Sequence, residues 1–318
     1  MPGGCVGGRL GLVRGFHTPA PPWDICAKSK EMIVTGWMGI AAFGLSVALA
    51  GPGLAEVPRV MTDIPPVQAL VAQVMGDLGT PGLFLQFGGD EHGLQLRPSQ
   101  MRDLGAADLV IWVGPELTPG LGAALEGAGV AGLALLDDPA TARMDYPGGG
   151  VNPHAWLDPR VAMTWAGLIE QRLRQLDPEH AAIYEANRVA AELRIAGLAR
   201  ELETRLAPVA ERPWIGGHDA YGYFARAFHL TYLGGLAEGD EAPPGAARLS
   251  DLAALAEAGG IVCAFPEAGQ DPALLAALGP VRLGGPLDPA GSRVVPGKDA
   301  YDLALQGMAA SLVACLGR

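Results

Sequence analysis

Short apolar runs alternate with amphipathic stretches along the chain between residues 58 and 136. Apolar runs bounded by turn-forming residues predict strands, whereas apolar residues spaced three or four apart predict helices. The expected strands are 58–64, 82–87, 107–113 and 132–136, and the expected helices are 67–78, 98–104 and 121–125. This alternation favours a parallel sheet that is covered by helices on both faces.

The same rhythm returns after Pro208. Strands are expected at 214–217, 230–234, 261–265 and 281–283, with helices at 220–228, 249–258, 272–278 and 299–316. The predicted fold class is therefore α/β, with two parallel-sheet α/β lobes.

Two long helical stretches separate the lobes. Asp158-Pro159 supplies an N-cap and a proline at the first helical position, which predicts a helix that ends near residue 176. Asp177-Pro178-Glu179 opens a second helix that reaches about residue 206. It would be roughly 40 Å long, so we expect one long rigid helix to join the lobes. Its apolar positions recur at helical spacing apart from one offset: Ala182, Ala186, Val189, Leu193, Ala196, Leu198 and Leu202.

The elements divide the chain into four expected segments. A leader occupies 1–55, an N-terminal lobe 56–177, a linker helix 178–207 and a C-terminal lobe 208–318. The Gly- and Pro-rich segment 137–153 is expected to be a mobile loop.

The first 55 residues have the pattern of a secretory leader. Lys28 and Lys30 precede an apolar run over 32–50, and small residues follow it. This pattern predicts export and cleavage near Ala50 or Ala55. The alternative is a transmembrane anchor, because the run is about long enough to span a bilayer.

Charge and cysteine content narrow the class of protein. The net charge is −12, which argues against a nucleic-acid partner. Only 18% of residues are charged, so the chain can bury a sizeable core. Beyond the leader two cysteines remain, Cys263 and Cys315. In an oxidising compartment they are expected to form one disulfide, with two buried thiols as the alternative.

Four side chains with metal-binding chemistry lie at the edges of predicted elements. His92, His218 and Asp288 follow predicted strands, and His154 precedes the helix that starts at Pro159. Ligands of open α/β sheets bind at the carboxyl ends of the strands. Since each lobe supplies two of these residues, they are expected to meet between the lobes.

Three imidazoles with one carboxylate or water form a tetrahedral zinc site. Asp288 is favoured as the fourth ligand, with Glu91 or a water as alternatives. His180 and His229 lack the strand-edge placement and are not expected to bind metal. Asp219 is expected either to cap the helix after His218 or to orient an imidazole.

Longer motifs around these residues resemble a known family. They are Glu91-His92 with Leu96-Arg97-Pro98-Ser99, the stretch 107–114, His154-Ala155-Trp156-Leu157-Asp158-Pro159, His218-Asp219-Ala220-Tyr221-Gly222-Tyr223-Phe224, and Leu287-Asp288-Pro289 with 297–301. Together they resemble the substrate-binding proteins of bacterial zinc and manganese ABC importers. The resemblance covers about 56–318 and implies two α/β lobes on one rigid helix, with metal in the inter-lobe cleft.

The resemblance also implies a metal and a role. Zinc members carry a histidine at the position of His218, whereas manganese members tend to carry a carboxylate there, and imidazole suits Zn²⁺. The Cys263–Cys315 pair matches a disulfide of zinc members. Unlike many of them, this chain has no histidine in the loop 137–153.

We therefore expect a monomeric periplasmic protein that captures one Zn²⁺ and delivers it to the permease of an ABC importer. It is not expected to be an enzyme or to bind nucleic acid. The alternatives are a manganese- or iron-type relative of the same family and a secreted zinc hydrolase. The hydrolase would need a general base such as Glu91, and no His-Glu-x-x-His motif is present.

Overall fold

A computed structural model describes residues 56–237, 239 and 245–318 of the chain. The expected leader over 1–55 lies outside the described residues. Its cleavage and the alternative of an anchor therefore stay predictions. Among the described residues, no helix is both long enough and apolar enough to cross a membrane.

The first sheet has four parallel strands in the order β2-β1-β3-β4. These are β1 (Val60–Thr62), β2 (Gly82–Leu83), β3 (Leu109–Trp112) and β4 (Gly132–Ala134). The helices between them are α1 (Pro65–Met75), α2 (Pro98–Gly105) and α3 (Pro119–Ala128). Each of these helices begins at a proline, whose fixed φ suits the first turn and whose missing N–H costs nothing there. The predicted parallel sheet is confirmed, with shorter strands than the apolar runs.

A small antiparallel hairpin follows, in the segment that was expected to be a mobile loop. Its strands are β5 (Met144–Asp145) and β6 (Val151–Asn152). The Tyr223 hydroxyl accepts a hydrogen bond from Met144 N at 2.7 Å and donates one to Asn152 O at 3.2 Å. The hairpin is thus tied to the second half of the chain by a side chain that local sequence patterns do not reveal.

The two long helices are present. After a 3₁₀ turn at Ala155–Leu157, α4 spans Pro159–Leu176, and α5 spans Ala181–Leu206 after a second 3₁₀ turn at Pro178–His180. Asp158 caps α4, since its Oδ1 accepts from Arg160 N at 2.9 Å. At 1.5 Å per residue, the 26 residues of α5 extend about 39 Å.

The buried face of α5 differs in part from the apolar positions found in the sequence. Val189 and Leu193 are exposed, and the buried residues are Tyr184, Ala191, Ile195, Leu198, Leu202 and Leu206. Helix α5 packs on α1, α4 and the C-terminal helix. Because apolar residues occur around the whole helix, periodicity alone did not identify the face that these neighbours cover.

The second sheet also has four parallel strands. After a third 3₁₀ turn, at Ala207–Val209, come β7 (Trp214–His218), α6 (Gly222–Ala227), β8 (Tyr232–Ala237), α7 (Ala246–Glu257), β9 (Cys263–Phe265), α8 (Ala273–Ala276), β10 (Arg282–Leu283) and α9 (Ala300–Leu316). The strand order is β10-β9-β7-β8. The predicted class of two parallel-sheet lobes with one long helix is confirmed.

One apolar core joins the two halves of the chain, and a disulfide links two elements of the second half. A continuous apolar cluster includes Val110 of β3, Ile195 of α5, Trp214 of β7 and Leu305 of α9. A smaller cluster, which includes Ile215 and Leu252, lies between β7 and α7. The predicted disulfide is confirmed: Cys263 and Cys315 are bonded, with their Cα atoms 6.4 Å apart.

Candidate metal centre

Three histidines from distant parts of the chain meet at one point. His92 lies in the loop after β2, His154 follows β6, and His218 ends β7. One ring nitrogen of each lies within 4.8 Å of the other two. The ring centroids are 5.5 Å apart for His92 and His154, 5.8 Å for His92 and His218, and 5.2 Å for His154 and His218. His154 and His218 are buried, and His92 is partly exposed.

Local backbone structure presents two of these rings. Asp90 Oδ1 accepts from His92 N at 3.0 Å, and Asn152 Oδ1 accepts from His154 N at 3.0 Å. Asp and Asn make such turns readily, because their short side chains reach the backbone two residues on. Each of these turns places its histidine at the cluster.

Acceptor groups behind two of the rings determine where their protons lie. His154 Nδ1 is 3.0 Å from Asn152 Oδ1, and His218 Nδ1 is in close contact with Glu267 Oε2. Amide and carboxylate oxygens only accept, so each Nδ1 carries the proton. In the neutral imidazoles the lone pair is consequently on Nε2, the atom that faces the cluster.

The Nε2 atoms of His154 and His218 are 3.3 Å apart. Two lone pairs at this distance repel each other unless a proton or a metal ion lies between them. In a tetrahedral zinc site with Zn–N bonds of about 2.0–2.1 Å, neighbouring nitrogens are separated by about 3.3–3.4 Å. The spacing of these two nitrogens therefore fits a shared Zn²⁺.

The protonation of His154 also suits a metal ligand. Its burial, together with the neighbouring His218 and His92, lowers the pKa of His154 well below 6.5. The ring is thus neutral at physiological pH. Metal binding at Nε2 does not have to displace a proton there.

Glu91 is a buried carboxyl group beside the cluster. Its Oε1 lies 3.9 Å from His92 Nε2 and accepts no hydrogen bond from the described residues. Burial, with the nearby carboxylate of Glu267, raises the pKa of Glu91 to about 8. Tyr221 is fully buried, and its hydroxyl also has no hydrogen-bond partner among the described residues. A cation in the cluster would favour the ionised form of Glu91.

Asp288 is engaged elsewhere by hydrogen bonds. Its Oδ1 accepts from Ser292 N at 2.8 Å and Ser292 Oγ at 3.2 Å, and its Oδ2 accepts from Arg293 N at 2.9 Å. Both oxygens thus stabilise the turn over 288–293. The histidines at the cluster do not include His180, which is 2.7 Å from Asp177 Oδ2, or the exposed His229.

Two supporting residues were not identified from the sequence. Glu267 follows β9 at the same sheet edge as His218, so the strand-edge rule applied to every acidic residue would have found it. Asn152 gave no such signal, since an asparagine before proline is typical of turns. Asp219, expected as a cap or an orienting group, is buried beside the cluster, and its backbone oxygen accepts from Asn152 Nδ2 at 3.2 Å. The N-cap residue of α6 is Tyr221.

Comparisons with known proteins identify similar zinc-uptake proteins. A family model described as zinc-uptake complex component A, periplasmic, matches residues 60–315. The high-affinity zinc uptake system protein ZnuA of Paracoccus denitrificans is 43% identical, over 91% of this chain and 99% of its own length. The protein of the same name from Yersinia pestis is 30% identical, over 88% and 98%.

Solved structures have the same fold. The periplasmic zinc-binding protein TroA of Treponema pallidum superposes with a TM-score of 0.72 at 20% identity, covering 82% of this chain and 99% of its own. A zinc-bound ZnuA deletion mutant gives a TM-score of 0.70 at 25% identity, covering 81% and 98%.

Proposed function

The chain belongs to the family of periplasmic zinc-uptake complex component A proteins, and from this membership we propose that it captures Zn²⁺ and delivers it to the permease of an ABC importer. Zinc is the cargo of the protein and is not consumed. The protein binds the ion reversibly and does not need to catalyse a reaction. No enzymatic role is proposed.

The observation that carries this proposal is the pair of facing Nε2 atoms 3.3 Å apart, with His92 beside them. We propose His92, His154 and His218 as the zinc ligands. Imidazole nitrogens suit Zn²⁺ better than they suit Mn²⁺, which prefers oxygen ligands. This favours zinc over the manganese- or iron-type alternative, although an iron-binding protein of Yersinia pestis is a more distant relative at 27% identity.

For the fourth ligand the sequence favoured Asp288, whereas the hydrogen bonds favour Glu91. Both oxygens of Asp288 already accept backbone N–H groups, and the Oε1 of Glu91 accepts no hydrogen bond from the described residues. We propose that Glu91 or a water takes the fourth position when zinc is bound.

The remaining parts of the proposal concern location and assembly. The protein is proposed to be exported, with its leader cleaved near Ala50 or Ala55, and to act in the periplasm as a monomer. The proposed segments are the leader 1–55, the lobe 56–177, the linker helix 178–207 and the lobe 208–318. Because α5 is a continuous packed helix, the lobes should move little relative to each other on release of the metal.

The experiment is a metal titration of the chelator-treated protein, with elemental analysis of the loaded form. We expect one Zn²⁺ per chain and much weaker binding of Mn²⁺. Preferential binding of Mn²⁺ or Fe²⁺ would overturn the zinc assignment. Turnover of ester or peptide substrates by the zinc-loaded protein would instead support a hydrolase.

A further inference from the structure

A carboxylate contacts the side of the His218 ring that faces away from the histidine cluster. The Oε2 of Glu267 is in close contact with His218 Nδ1, and both side chains are mostly buried, at 12% and 8% exposure. The contact is on the opposite side of the imidazole from Nε2. Glu267 therefore touches the histidine without occupying the position of the ion.

Glu267 is held in place by contacts with neighbouring residues. Gln270 Nε2 donates to Glu267 Oε2 at 3.1 Å. The backbone of Glu267 pairs with Leu287, and Ala268 N donates to Leu287 O at 2.7 Å. This pairing extends the edge of the second sheet and fixes the origin of the carboxylate side chain.

The end of β7 is shaped to approach this segment closely. A Cβ atom on Gly217 would lie 3.4 Å from Glu267 N and 3.4 Å from Gln270 Oε1. Both distances are ordinary van der Waals contacts, so the backbone at Gly217, the residue before His218, lies directly beside the Glu267 segment.

We propose that Glu267 is a positioning residue of the metal site, which holds His218 in the tautomer that presents Nε2 and makes this imidazole a stronger donor through its negative charge. The inference rests on the proposed function, because it concerns how tightly the same site retains Zn²⁺. A carboxylate behind a metal-bound histidine fixes the ring and raises its basicity, and losing such a partner typically weakens metal binding about 10–100-fold.

The groups beside Nδ1 of His154 and His218 differ in charge. His154 has the neutral amide of Asn152 in the place where His218 has the carboxylate of Glu267. Both acceptors specify the tautomer, but only Glu267 adds a negative charge. His218 is thus expected to donate its Nε2 lone pair to zinc more strongly than His154 does. Removing Glu267 should therefore weaken zinc binding more than removing Asn152.

The test compares Glu267→Gln and Glu267→Ala with a matched control, Glu257→Gln. The glutamine keeps an oxygen that can accept from His218 Nδ1 and Gln270, so it removes the charge and preserves the geometry. The alanine removes both. Glu257 is an exposed residue of α7 in the same lobe, so its variant makes the same chemical change away from the site.

Zinc affinity of the full chain is measured by competition with a chromogenic chelator. We expect Glu267→Gln to bind zinc about 10-fold more weakly and Glu267→Ala up to about 100-fold more weakly, with the control unchanged. In the cobalt-loaded protein, the visible absorption bands of Glu267→Gln should shift while keeping their tetrahedral intensity. A residue that only stabilised the fold would not move these bands.

The outcomes separate this inference from the function on which it rests. Wild-type affinity and an unshifted cobalt spectrum in Glu267→Gln, with equal affinity in a folded Glu267→Ala, would overturn the role of Glu267 and leave the zinc function standing. Absence of zinc binding in the wild-type protein would overturn both. If Glu267→Ala does not fold, the zinc affinity and cobalt spectrum of Glu267→Gln alone test the role of Glu267.

Discussion

Replacing His154 with alanine tests the metal centre most directly. His154 is fully buried, its Nε2 faces that of His218, and its low pKa keeps it neutral. Structural zinc sites are worth about 10–16 kcal/mol at neutral pH, so one of four ligands accounts for about 3 kcal/mol. We therefore expect His154→Ala to weaken zinc binding on the order of 100-fold.

The same change should be tolerated by the metal-free fold. Asn152 Oδ1 keeps the backbone N–H of residue 154 as a donor after the ring is removed. The unfolding free energy of the metal-free protein should therefore fall by only about 1–3 kcal/mol, the usual effect of one lost buried hydrogen-bond partner. Urea unfolding without zinc measures this term separately from binding.

Zinc affinity is measured by chelator competition at constant pH, with His229→Asn as the control. His229 is exposed and has a φ of 56°, a conformation that asparagine tolerates better than alanine does. The control should bind zinc as the wild type does. An affinity of His154→Ala within about threefold of wild type would show that this nitrogen is not a ligand and would refute the argument from the facing lone pairs.

Three further outcomes are expected. Replacing both Cys263 and Cys315 with serine should lower the unfolding free energy in urea by at most about 4 kcal/mol, because the disulfide spans 52 residues; an unchanged value would mean that the link does not constrain the unfolded chain. Burial raises the pKa of Asp63 to about 7 from 3.8, so this group's contribution to stability is complete below pH 3.8 and is lost as pH rises to about 7. Urea unfolding from pH 4 to 8 should then show that Asp63→Asn gains stability relative to wild type with rising pH, by up to about 4 kcal/mol, and a constant difference would contradict this. Finally, chelator competition should show that Glu91→Gln binds zinc about tenfold more weakly than wild type, and that Asp288→Asn loses less affinity. The reverse order would identify Asp288 as the fourth ligand.

Secondary structure was predictable where local chemistry decides it. Helix α4 starts at Pro159 and ends at Leu176, as expected, because the Asp158 cap and the proline act within a few residues of each other. The hairpin at 144–152 was missed, since its strands are two residues long and its anchor, Tyr223, is distant in the chain. Local patterns carry no information about such a contact.

The histidine cluster was predictable in part for the same reason. His92 and His218 were found by their position after apolar runs, because parallel strands place their carboxyl ends at one edge of a sheet. The hydrogen bonds of Asp288 within its turn could not be read from that position. A strand-edge carboxylate looks the same in the sequence whether it faces the ion or caps a turn.

The sequence by itself determined the class of fold, because apolar periodicity and helix caps act locally, and it singled out the disulfide pair and the three histidines by residue type, number and position. Only the tertiary structure decided which atoms face each other. The Nε2 atoms of His154 and His218 lie 3.3 Å apart, and Asn152 and Glu267 contact the Nδ1 side of the two rings. That arrangement depends on the packing of two sheets and a hairpin, so the orientation of each ring was settled by contacts between residues far apart in the chain.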